Sequence, residues 1–201
     1  MTDHHAPPPN RLSTPRAAAL AGVLFALLFG TSLFLLRIAL PEGAAPGSQW
    51  VDGASGKIKV ASMLMPFAGI AFLWFIGVLR DRIGEREDRF FATVFLGSGL
   101  LFVAMMFTAT AIASGLIADM ASVRPEPGTL ALGRSVTSTL LNVYSMRMAA
   151  VFTLTTVNIA RHTGIVSRWL MIAGLATALV LLIGVGISAW VELLFPIWIL
   201  A

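Results

Sequence analysis

The chain has 201 residues, 57% of them hydrophobic and 12% charged, with a mean hydropathy of +0.86 and a formal charge of +4. That is more apolar surface than a soluble domain of this size buries, so most of the chain is expected in lipid. Cysteine is absent, which removes disulfides, thiol redox chemistry, iron–sulfur clusters and thiolate metal sites.

The apolar residues fall in runs of about 20 or more, the length that crosses ~30 Å of hydrocarbon at ~1.5 Å per helical residue. The runs are apolar all round, which predicts helices and not the alternating strands of a barrel. The expected fold class is all-α: a polytopic transmembrane bundle with five spans at about 17–40, 58–79, 90–118, 136–160 and 169–192. Residues 17–201 would form one bundle domain behind a tail.

Residues 1–16, MTDHHAPPPNRLSTPR, are polar and proline-rich and are expected to form a disordered cytoplasmic tail. His4 and His5 sit in it as an isolated pair, and no metal site is read from them. The first span, 17–40, stops at Pro41 and carries Arg37 one turn from its end, where the side chain can snorkel to the headgroups. Residues 41–57 read as a loop, with Trp50 as an interfacial anchor and a short hairpin at Asp52 and Gly53.

Pro66 in the second span removes a backbone donor and crowds the carbonyl of Ser62, so a kink is expected there. RDRIGEREDRF, residues 80–90, reads as a tight solvated turn. Gly97, Ser98 and Gly99 in the third span allow close helix packing. Residues 119–134 return to loop composition. RHTGIVSR, 161–168, is a short basic turn, and the final run from Trp169 is expected to be helical to about Glu192. The closing FPIWILA would then fold into the interface or against the bundle.

Arginines set the orientation. The tail, the 80–90 turn and the 161–168 turn contain Arg11, Arg16, Arg80, Arg82, Arg86, Arg89, Arg161 and Arg168, eight in all, against four in the opposite loops, Lys57, Lys59, Arg124 and Arg134. The N-terminus is therefore expected in the cytoplasm and the C-terminus outside, with the protein multi-pass in the plasma membrane. Twelve of the fourteen basic residues are arginine, which hints at a GC-rich bacterial genome.

The side chains exclude more chemistry than they suggest. His4, His5 and His162 all lie outside the spans, so a haem held by facing histidines is not expected, and no base is present to activate a serine such as Ser98. HExxH and GxSxG motifs, a Walker loop, a mid-span lysine and a mid-span carboxylate are missing too. No catalytic residue, metal ligand or cofactor is assigned. The positive charge is spread over loops on both sides, so no nucleic-acid partner is expected.

The polar fourth span is the exception. Arg147 lies near its middle, and at 100° per residue Tyr144, Asn158, Thr137 and Thr155 share its stripe, while Asn142 points about 140° away. An arginine at that depth costs at least ~2.5–3.5 kcal/mol unless it faces the bundle interior or water. It fixes helix register, recognises an anionic group such as a lipid headgroup with Tyr144 and Asn158 orienting it, or docks a partner. Arg37 and Glu192 are the candidate structural ion pair, because Glu192 is the one carboxylate near a span. The expected function is a non-enzymatic membrane subunit or scaffold that binds membrane lipids, another membrane protein or a second copy. The alternative is a small transporter or channel component with a polar cavity around Arg147.

In its hairpins of spans, its RDRIGEREDRFF turn and its closing RWL and LLFPIWIL segments, the chain resembles uncharacterised multi-pass membrane proteins of actinobacteria. The resemblance covers most of the chain and implies no activity.

Overall fold

The computed structural model describes residues 14–40, 49–83, 89–122, 126–163, 167–184 and 190–201. Almost all of these are helical, and no strand occurs among them. In chain order they form α1 (Thr14–Ala39), α2 (Gln49–Ile83), α3 (Arg89–Ser122), α4 (Pro127–Thr139), a π segment (Leu140–Ser145), α5 (Met146–Thr163), α6 (Arg168–Ile183), a 3-10 turn (Val191–Leu193) and α7 (Leu194–Leu200). Since α4, the π segment and α5 follow without interruption, they make one long helix. Four stretches are long and apolar enough to cross a membrane: Ala17–Ala39, Ser55–Asp81, Arg89–Ala118 and Pro127–Arg161.

Local sequence explains the helix ends. The residue before a proline is driven out of the helical region, and Leu40, before Pro41, closes α1 with its N–H donating to the Leu36 carbonyl at 2.8 Å. Glu126 is extended (φ −58°, ψ 144°) and Pro127 takes the first helical position, where its missing N–H costs nothing. Ser167 caps α6, its Oγ accepting from the Leu170 N–H at 3.4 Å.

In their described parts, two expected loops are largely helical. Residues 49–57 belong to α2, and residues 119–122 and 127–134 belong to α3 and α4. Each added residue contributes a hydrogen bond to a helix already nucleated in the apolar run, so Gly53 and Gly56 weaken the extension without ending it. The expected hairpin at Asp52 and Gly53 is therefore not formed. The histidine and tail assignments at 1–13 lie outside the described residues, as do residues 84–88 of the charged turn and the side chain of Trp50.

The helix expected over 169–192 is two pieces. α6 stops at Ile183, and after Trp190 the chain runs back along α1. Trp190 packs against Phe34 with ring centroids 5.7 Å apart and the ring planes tilted by 39°. Phe195 meets Phe25 and Phe29 at 5.9 and 6.4 Å, and Ile199 reaches Gly22. The paired numbers fall on α1 as they rise on α7, so the two helices are antiparallel. A Cβ on Gly174 would lie 2.6 Å from Trp198 Nε1, so α6 admits the α7 indole only because that position is glycine.

Phe195 is fully buried and touches rings from four other helices. Besides Phe25 and Phe29, it lies 5.9 Å from Phe72, 5.0 Å from Phe102 and 6.2 Å from Phe152, mostly edge to face. α7 thus fills the middle of the bundle formed by α1, α2, α3 and α5. Between helices that cross a membrane, lipid supplies no hydrophobic drive, which would leave this packing and a few polar contacts to hold the bundle together.

Hydroxyls in the apolar stretches spend their protons on backbone carbonyls one turn back. Examples are Thr153 to Ala149 at 2.8 Å and Thr156 to Phe152 at 2.7 Å. Pro66 lies inside an unbroken α2, and the nearby Ser62 hydroxyl accepts from Ser114 of α3 at 2.6 Å. Of the small residues in α3, Gly99 is the packing position, since a Cβ there would lie 2.5 Å from Ile76 Cδ1. A Cβ on Gly97 would meet nothing within 4 Å.

Candidate functional site

Two arginines occupy opposite situations on either side of the π segment. Arg37, in the last turn of α1, lines a small cavity with Leu33, Leu36, Leu40, Ser138, Leu141, Asn142 and Glu192. In the amide orientation its neighbours demand, Asn142 Nδ2 donates to Glu192 Oε1 at 2.7 Å and Oδ1 accepts from Arg37 Nη1 at 3.0 Å. The two charges that the sequence suggested as a pair are thus joined through an amide that was not assigned to them. Glu192 is only 9% exposed, so its charge depends on these partners. A cavity of about 10 Å³ holds one water at most. Charge satisfaction is therefore the chemistry available there.

The π segment positions Asn142. Its turns are wider than those of an α-helix, so a side chain within it is re-aimed relative to the helices on each side, a feature common at functional sites. The same widening breaks the polar stripe derived at 100° per residue. Thr137 is fully buried on α4, Tyr144 is 53% exposed on the π segment, and Thr155 is 5% exposed on α5 with its hydroxyl donating to the Val151 carbonyl. Thr137 Oγ1 is buried with no hydrogen-bond partner among the described residues.

Arg147 begins a regular stripe confined to α5. Met146, Ala149, Ala150, Phe152 and Thr153 form the buried face of this helix. Arg147, Val151, Leu154 and Asn158 are half-buried and Arg161 is exposed, a spacing of four, three, four and three that keeps them on one side. Among the described residues, no hydrogen bond or ion pair is made by the Arg147 side chain, and none joins it to Tyr144 or Asn158. The structure therefore does not bring the three suggested anion-binding groups together around one another; it leaves Arg147 and Asn158 along a partly uncovered face of α5 and Tyr144 exposed on the π segment. Arg147 stands about 21 Å along the helix from Arg161, roughly two-thirds of the ~30 Å that a hydrocarbon layer measures.

A third feature was missed in the sequence. Arg80 at the end of α2 and Arg89 at the start of α3 share an open cavity of about 430 Å³ with Ala92, Thr93, Leu96, Gly97 and Leu100. The signal was present as arginines at both ends of the 80–90 turn, but the interleaved acids made the whole turn look merely solvated. Among the described residues no group of three His, Asp or Glu side chains is placed to hold a metal ion. Comparison with family models, curated proteins and solved structures returned no match to this chain.

Proposed function

We propose that the protein is a non-enzymatic plasma-membrane subunit whose α5 face receives a carboxylate from a transmembrane helix of a different membrane protein. In this reading α1, α2, α3, the α4–α5 helix and α6 make five crossings, with the N-terminus in the cytoplasm as the eight-to-four distribution of basic residues favours. α7 then re-enters from the outer side and ends within the bundle.

The observation that carries the reading is a half-buried Arg147 with no partner among the described residues. A guanidinium left facing hydrocarbon is costly, and a planar bidentate acceptor relieves that cost best. Depth favours a protein carboxylate over a lipid phosphate, since at about 21 Å from Arg161 the residue still lies roughly 9 Å inside the outer headgroups. A second copy of this chain has little to offer: its ten acids are Asp3, Glu42, Asp52, Asp81, Glu85, Glu87, Asp88, Asp119, Glu126 and Glu192. Among the acids whose side chains are described, only Glu192 is buried, and it is occupied by Asn142. Tyr144 and Asn158 extend the receiving face above and below the guanidinium.

The test is the size of the complex extracted from native membranes in a mild detergent. The wild type is expected above its monomer mass, with a partner that has an Asp or Glu within a span. Arg147→Leu should fall to monomer, and Arg147→Lys should retain part of the complex. A wild type that is only monomeric or only self-associated, or a complex untouched by Arg147→Leu, overturns the proposal.

A further inference from the structure

The open cavity between Arg80 and Arg89 joins a cationic end to a mostly apolar wall. From Arg89 its lining continues through Ala92, Thr93, Leu96, Gly97 and Leu100, positions three and four apart that make one stripe down α3. The stripe runs eleven residues, roughly 16 Å, close to the depth of one leaflet at half of ~30 Å. Its polar end holds two exposed arginines. The Thr93 hydroxyl donates to the Arg89 carbonyl at 2.8 Å, so the donors left for a ligand are guanidinium groups. Asp81, although next to Arg80 in sequence, does not line the cavity.

Below the arginines the lining is apolar, and Gly97 leaves a trough in it. Packing within the chain does not require that glycine, because a Cβ there would meet nothing within 4 Å; at Gly99 the same atom would strike Ile76.

We infer that this cavity binds one anionic glycerophospholipid, with its phosphate between Arg80 and Arg89 and an acyl chain laid along Leu96, Gly97 and Leu100. Guanidinium groups match phosphate oxygens in charge and geometry. In the orientation proposed above, the site faces the cytoplasmic leaflet, where anionic headgroups attract basic residues. The inference rests on the membrane-spanning reading but not on the docking role of Arg147.

The experiment is native mass spectrometry of the full chain in a non-ionic detergent with added phosphatidylglycerol or phosphatidylcholine. Phosphatidylglycerol should be retained about tenfold more strongly, as expected when two arginines near the surface each contribute modestly. Arg80→Gln combined with Arg89→Gln should remove that preference. Gly97→Leu, whose Cβ would meet nothing within 4 Å, should weaken phosphatidylglycerol binding several-fold. Arg168→Gln, on another exposed arginine, and Arg147→Leu should leave it unchanged, and millimolar glycerol 3-phosphate should not displace the lipid. Equal retention of the two lipids overturns the inference. So does an unaffected double variant, an unaffected Gly97→Leu, an equal loss in Arg168→Gln, or displacement by glycerol 3-phosphate.

Discussion

Arg37 ends α1 beside an amide and a carboxylate drawn from two other elements, whereas Arg147, five residues beyond that amide on the same long helix, meets no such group among the described residues. The first arginine is satisfied by convergence: the reversal of the chain after α6 delivers Glu192, and the wide π turn delivers Asn142. The second sits on regular α5, whose buried face is occupied by Ala149, Ala150 and Phe152 and whose other face carries Val151, Asn158 and Arg161. A buried charge satisfied inside the chain is part of the fold, and one left to the outside is available for binding. Stability measurements on the purified chain separate the two.

The largest loss is expected from Arg37→Leu, which strands Glu192 in an apolar end of the bundle. Removing one partner of a buried charged cluster costs about 3–5 kcal/mol, read as a fall in the thermal unfolding midpoint in detergent. Phe195→Ala should come next, at about 3 kcal/mol, because it empties the centre where five other rings meet. Asn142→Leu should cost roughly 1–3 kcal/mol, since each charge loses a hydrogen bond but the other remains nearby. Replacing Arg37, Asn142 and Glu192 together by Leu should change stability by about 1 kcal/mol or less, because apolar groups of similar volume often substitute for a buried charged cluster without loss. A triple variant as unstable as Arg37→Leu would break the claim that the cluster is internal to the fold. Smallest of all, Tyr144→Phe should leave the unfolding midpoint unchanged, as its ring is largely exposed and its hydroxyl has no partner among the described residues.

Much of this architecture is readable in the sequence, for a simple reason. An apolar run long enough to cross lipid has few alternatives to a helix, so four stretches close to the expected spans are long and apolar enough to cross. Helix ends were less legible because composition marks where hydrocarbon stops, not where backbone hydrogen bonding stops; residues 49–57 show the difference. The break after Ile183 was hidden because the run from Trp169 remains apolar on both sides of it. Depth arithmetic along one straight helix placed Glu192 near Arg37, and the folded-back chain brings them together by another route. The role of Asn142 was out of reach. Angles computed at a constant 100° per residue cannot cross a π segment, so Thr137 and Tyr144 seemed to share a face when one is buried and the other exposed. Arg147 remained legible because its stripe lies wholly within α5.

The most direct test is the unfolding midpoint of Arg147→Leu measured beside Arg37→Leu in the same detergent. Arg147 makes no hydrogen bond or ion pair among the described residues, so its variant should unfold at or above the wild-type midpoint while Arg37→Leu falls well below it. An Arg147→Leu protein destabilised as much as Arg37→Leu would show that Arg147 is held within the chain, and would contradict the assignment of the α5 face to a partner.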